Sequence, residues 1–227
     1  MNARQQENGS DENSDWRACM ERLCASYWYP AYAYLRRKGY EPSDCQDLTQ
    51  DFFASLIEKN VLQIVDPERG RFRWFLMHAL RQFAANWNSA QKAKKRGGDL
   101  KVFSLSFEEG ESRYQNEPVD GWTPERLFDR RWALTLLHTA IKNLELEYSE
   151  NGKTRLFESL KTYISPGVVP PSYAEVAETL GLTETAIKVA IHRLREKYRN
   201  QIRALVAETL NDPADLDEEL QQLMESL

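Results

Sequence analysis

Residues 172–199, SYAEVAETLGLTETAIKVAIHRLREKYR, decide how this chain is read. Ser172 followed three positions later by Glu175 is a capping-box pattern, in which the hydroxyl and the carboxylate satisfy backbone donors that a helix start leaves unpaired. The helix that begins there presents Val176, Ala177 and Leu180 on one side. Gly181 follows, where a sharp turn with a left-handed backbone is cheap only for glycine. Leu182 is expected to plug the angle between two helices, and Thr183 to cap the second, whose Ile187, Ala190, Ile191, Leu194 and Tyr198 fall on one stripe at helical spacing. The small Ala177 lets the two helices cross closely. The pattern predicts a helix-turn-helix.

The opposite face of the second helix is left for a partner. It carries Thr185, Lys188, His192 and Arg195 in successive turns, with Arg193, Lys197, Arg199 and Arg203 extending positive charge toward the C-terminal end. Short polar groups near a helix start can reach base edges in a major groove, and later cations suit phosphates. DNA is the expected partner.

The chain has 227 residues, long enough for two domains that each bury a core. A net charge of −5 would argue against nucleic acid if it were evenly spread. It is not: Arg69 to Arg96 holds eight Lys or Arg and no acid, whereas Glu208 to Leu227 holds seven acids and no base. The three cysteines, Cys19, Cys24 and Cys45, are too few and odd in number for a secreted disulfide framework. With His78, His138 and His192 they show no paired metal-ligand spacing, so neither a metal nor any other cofactor is expected. No run of about eighteen apolar residues and no apolar leader occurs, which predicts a cytoplasmic protein without a membrane partner.

Along the chain, residues 1–15 are polar and read as a disordered N-terminus. Residues 16–96 read as one helical domain. A first helix over Trp16 to Lys38 carries a kink signal at Pro30, a second runs from Pro42 to about Asn60, and an amphipathic third from Phe72 turns Phe75, Leu76, Ala79, Leu80, Phe83 and Trp87 inward. Residues 97–123 lack a sustained period and read as a flexible linker, with FSLSF as a candidate short strand. Thr123-Pro124-Glu125 opens a second helical domain over 124–205, ending in the helix-turn-helix, and 206–227 form an acidic tail. No alternating strand series or fixed-period repeat is present, so the expected fold class is all-α, two helical domains joined by a linker.

One further stretch narrows the reading. Asp44-Cys45-Gln46-Asp47-Leu48-Thr49-Gln50-Asp51-Phe52-Phe53 has the form Asp-x-x-Asp-Leu-x-Gln-x-x-Phe. Together with the helix-turn-helix, it makes residues 20–205 resemble a bacterial RNA polymerase sigma factor of the extracytoplasmic-function type. The resemblance implies that the acidic helix docks on the clamp coiled coil of the polymerase beta-prime subunit, with Asp44, Asp47, Leu48 and Gln50 as contacts. Charged edges around an apolar centre suit such a task, since they pair with basic residues and set register.

The next segment, GRFRWFLMHALRQFAANW, resembles the family's promoter-melting region, commonly Trp-Leu-x-x-Ile-Ala-Arg-Asn. It keeps Leu76 and Arg81 and departs elsewhere, Gln82 standing where the family has asparagine. Promoter opening needs cations on the backbone and platforms for extruded bases, where stacking contributes about 1–3 kcal/mol per base. Arg71, Arg73, Arg81, Lys92, Lys94, Lys95 and Arg96 supply the first and Trp74 the second, while Trp87 reads as core. Gln82 implies altered reading of the −10 element.

For the second domain the resemblance assigns Thr183, Thr185, Lys188, His192, Arg193 and Arg195 to the −35 element. The chain departs from the family in an insertion over 145–171 and a tail continuing to Leu227, both bearing on contact with the polymerase beta flap. An anti-sigma factor is a regulator the family commonly uses. A sigma factor directs initiation while the polymerase performs the chemistry, so the chain is expected not to be an enzyme, and no Walker loop, nucleophile elbow or dinucleotide fingerprint is present. The competing reading is a helix-turn-helix regulator that binds a symmetric operator without polymerase. The tail, with Leu216, Leu220 and Leu223 near helical spacing, reads as a short helix with two alternatives open: a mask folded over the basic recognition surface, or a tail that is solvated or packs on its own domain.

Overall fold

The computed structural model describes residues 23–58, 72–91, 106–117, 121–210 and 212–227. Readings that fall elsewhere, including those on the N-terminus, Cys19, Arg71, Lys92, Lys94, Lys95 and Arg96, lie outside the described residues. Within the described residues the chain is all-α, with no strand. The helices are α1 (23–37), α2 (Pro42–Glu58), α3 (Phe72–Gln91), α4 (Phe107–Gln115), α5 (Pro124–Glu150), α6 (Thr154–Leu160), α7 (Tyr173–Leu180), α8 (Glu184–Ala207) and α9 (Leu216–Glu225). They separate into two compact units, one running to Trp132 and the other from Ala133 to Glu225.

In the first unit α1 continues through Pro30 and buries Tyr27, Ala31, Tyr32, Tyr34 and Leu35. The buried row of α2, Cys45, Leu48, Thr49, Phe52, Phe53 and Leu56, follows the 3–4 spacing that a half-covered helix requires. It packs on α3, where Phe52 meets Phe83 edge-on with ring centroids 5.6 Å apart. Leu76, Leu80 and Ala84 continue the covered side of α3. Thr123 caps α5 as expected, accepting from the Arg126 amide at 3.2 Å.

The segment read as a linker contains α4, and its FSLSF stretch is not a strand where described, since Phe107 is the first residue of that helix. Few apolar residues are available to mark a period there. Tertiary contacts hold the helix instead. Phe107 lies edge-on to Trp28, and a Cβ on Gly110 would meet the same indole at 3.0 Å, so any larger residue there must push the ring aside by a few tenths of an ångström. Glu111 accepts from the Tyr32 hydroxyl at 2.5 Å and from both Arg36 Nε at 2.9 Å and Nη2 at 3.1 Å. Two residues beyond α4, Glu117 accepts from the Tyr29 hydroxyl at 2.9 Å and pairs with Arg131.

Burial pushes the Glu111 carboxyl up, but hydrogen bonds from Tyr32 and Arg36 and the arginine charge outweigh it and hold the pKa below the usual glutamate value. Because the folded pKa is depressed, this contribution is present above the unfolded pKa and lost as pH falls through the folded one. Glu111→Gln should cost about 1 kcal/mol at neutral pH and progressively less in acid below the ordinary glutamate range. Urea unfolding of both chains across that range checks it, and a constant difference would show the carboxylate charge to be irrelevant.

In the second unit Leu144, Tyr148, Phe157, Leu160, Tyr163, Ile164, Val176, Ala177, Ile187, Ile191 and Leu194 form one core. Fully covering each large aliphatic side chain contributes about 1.5–3 kcal/mol. The insertion read between 145 and 171 contributes to this core through Tyr148, Phe157 and Leu160 of α5 and α6 and Tyr163 of the following 3-10 turn, Lys161–Tyr163.

Candidate nucleic-acid interface

The local chemistry of α7 and α8 follows the sequence closely. The Ser172 amide donates to Glu175 Oε2 at 2.8 Å, and the Glu175 amide donates to Ser172 Oγ at 3.3 Å, which closes the capping box. The backbone and hydroxyl hydrogen bonds of Ser172 hold the Glu175 carboxyl below its ordinary pKa. Gly181 adopts φ +66°, and the Leu182 amide turns back to the Ala177 carbonyl at 2.9 Å. Thr183 Oγ1 accepts from the Ala186 amide at 3.2 Å and starts α8. Leu182 does not fill the angle between the helices, because its side chain is 47% exposed. Val176, Ala177, Ile187, Ile191 and Leu194 close that angle without it.

With those residues turned inward, the other side of α8 is open. Thr183, Thr185, Lys188, His192, Arg193 and Arg195 are all exposed. Lys188 Nζ lies 5.7 Å from the centroid of the Tyr173 ring, and His192 Nδ1 lies 3.7 Å from Glu196 Oε2. Positive charge does not extend unopposed toward the C-terminal end: Lys197 pairs with Glu147, and Arg203 pairs with Asp217 at 3.2 Å. The tail forms a helix, α9, as expected, and it packs on α8. Of the two alternatives for the tail, this is packing on its own domain, not a cover over Thr185 to Arg195. Its acid Asp217 engages Arg203, several turns beyond Thr185 to Arg195, which stay exposed.

In the first unit, α3 exposes Trp74, Arg81 and Gln82. Trp74 is 62% exposed, unusual for so large an apolar ring. Arg81 pairs with Glu125 at 2.9 Å, and Gln82 Nε2 lies 2.9 Å from His78 Nε2. Arg73, expected on the DNA-facing surface, is instead buried: it pairs with Asp129, and its guanidinium stacks 4.7 Å above the Trp132 ring. Its spacing of three, seven and eleven from Leu76, Leu80 and Ala84 puts it on the covered side of α3. Trp87 is half-buried and donates to Asp51, whose carboxyl burial holds above its usual pKa.

On α2, Asp47 is exposed, and Asp44 and Gln50 are half-buried. Leu48 is fully buried, so it supports the helix from within and presents nothing to a partner. Sequence reading missed His78 beside Gln82 and Tyr173 beneath Lys188. The first shares an exposed row with Trp74 at four-residue spacing, a signal that was present. The second pairing crosses from α7 to α8 and has none.

Among the described residues no cluster of His, Cys, Asp or Glu is placed to hold a metal ion, and no helix is long and apolar enough to cross a membrane. Cys24 and Cys45 are buried thiols in no disulfide, and burial pushes the Cys45 pKa up to about 12. The chain matches no protein-family model, no curated protein and no solved structure.

Proposed function

We propose that this chain is a sigma factor of the extracytoplasmic-function type: a cytoplasmic, non-catalytic subunit that binds RNA polymerase core enzyme and directs initiation through −10 and −35 elements. In this reading α7 and α8 are a helix-turn-helix in a −35-binding domain, and the first unit is the core-enzyme and −10 domain. The observation that carries it is the open face of α8, where Thr185, Lys188, His192, Arg193 and Arg195 stand clear of the apolar stripe that anchors the helix. Polar groups lead and cations follow, the order that major-groove and phosphate contacts require.

The acidic motif on α2 supports the polymerase half of the reading. Asp44, Asp47 and Gln50 line its accessible edge above a buried row that keeps the helix rigid. In α3, exposed Trp74 offers a ring face to an extruded base, and Arg81 and Gln82 both lie about two turns onward. Leu48 and Arg73 drop out of the contact set.

Run-off transcription with purified core polymerase and a genomic fragment library tests the proposal. Discrete, chain-dependent transcripts are expected. Replacing Asp47 and Gln50 by alanine should weaken association with core polymerase at least tenfold, roughly 1.4 kcal/mol or more, while duplex-DNA binding persists. Dimeric binding to a symmetric operator with no response to polymerase would instead establish a regulator acting alone.

A further inference from the structure

The insertion over 145–171 has no place in the function proposed above, yet it packs against α7, the helix that precedes α8. Tyr163, the last residue of the 3-10 turn after α6, is 9% exposed, and its hydroxyl donates to the Pro171 carbonyl at 2.7 Å. Its ring stacks on Tyr173, the first residue of α7, with centroids 5.7 Å apart and planes 22° from parallel. On the same Tyr173 ring lies the Lys188 ammonium of α8. Arg155 of α6 adds a second tie, donating to the Thr179 carbonyl near the end of α7 at 2.8 Å. A chain of contacts thus runs from the insertion through two rings to an exposed cation on the open face of α8.

A lysine on a helix surface samples many rotamers, and each must be given up when its ammonium meets a phosphate or a base edge. An aromatic face attracts an ammonium through the ring quadrupole, so a ring held beside the stem favours the rotamers that keep the charge there. Tyr173 is itself held by Tyr163, whose hydroxyl is anchored to the backbone at Pro171.

We propose that Tyr173, braced by Tyr163 of the insertion, is a positioning residue that holds Lys188 ready for DNA on the exposed face of α8. The proposal rests on reading α8 as a recognition helix. It gives the insertion a role in recognition: an added helix and turn stiffen one contact without touching DNA. The face of the ring is the working part, and the Tyr173 hydroxyl is dispensable.

The test is a double-mutant cycle with the full chain, read as affinity for a random-sequence DNA duplex pool of about three helical turns at several salt concentrations. Lys188→Ala should make the log–log salt slope shallower by about 0.9. Tyr173→Leu should weaken binding about two- to fivefold in the wild-type background and leave it unchanged in Lys188→Ala, while Tyr173→Phe should bind as wild type. Tyr173→Met, which fills the site without a ring face, replaces the leucine variant if that variant melts early. Equal losses from Tyr173→Leu in both backgrounds would mean that the ring only supports α7, and tighter binding would mean that it sequesters the ammonium. Either overturns the proposal, as does an unchanged affinity. If Lys188→Ala itself changes neither affinity nor slope, or the wild-type chain binds no duplex at low salt, the recognition-helix reading fails first.

Discussion

Replacing Lys188, Arg193 and Arg195 together by alanine should weaken duplex-DNA binding by about two to three orders of magnitude near ~0.1 M salt. Each cation that neutralises a phosphate releases condensed counterions, and the logarithm of affinity falls by about 0.9 per contact for each tenfold rise in salt. Three contacts therefore flatten the slope by about 2.7. The fold should tolerate the change, because all three side chains are exposed and such substitutions usually shift stability by no more than about 0.5 kcal/mol each. Salt titrations of binding, alongside urea unfolding, separate the two effects. A triple variant that keeps the wild-type slope would remove DNA from this face of α8.

Asp129→Ala should destabilise the first unit by about 2–3 kcal/mol, more than Arg73→Met does. Arg73 is nearly enclosed, whereas 38% of the Asp129 side chain is exposed. Removing the aspartate takes a charge-paired carboxylate from a guanidinium that is nearly enclosed against Trp132. Removing the arginine in favour of a flexible apolar side chain leaves only an aspartate that water can reach, so the cost should stay below about 1.5 kcal/mol. The partial exposure of Asp129 is why the larger figure falls short of the 3–5 kcal/mol typical of a fully enclosed pair. Urea unfolding midpoints of the two variants decide it. A reversed order would mean that Arg73 draws its stabilisation from stacking on Trp132 rather than from the ion pair.

The local signals were legible because their chemistry is complete within a few residues. Ser172 and Glu175 satisfy each other's amides, Gly181 alone takes φ +66° without strain, and Thr183 reaches an amide three positions on. The stripe of Ile187, Ile191 and Leu194 is a matter of helical period, and it became core. Leu182 stays largely exposed, while Val176, Ala177, Ile187, Ile191 and Leu194 form the core between the two helices. Arg73 was misread because charge alone suggests a surface, and partners more than fifty positions away, Asp129 and Trp132 among them, help make its burial tolerable. The linker reading failed at α4 for a similar reason. FEEGESRYQ has too few apolar residues to show a face, but Trp28, Tyr32 and Arg36 supply the partners.

The sequence by itself determined the all-helical class, the capped ends of α5, α7 and α8, and the identity of the side chains opposite the apolar stripe of α8. These depend on helical period and on hydrogen bonds between near neighbours. Tertiary structure alone decided which charges remain at the surface and what faces them: it buried Arg73, occupied Arg203 with Asp217 and placed the Tyr173 ring beside Lys188. The physical reason is that a charge or a ring is assigned its role by whatever the fold brings within a few ångströms, and that neighbour can come from far along the chain.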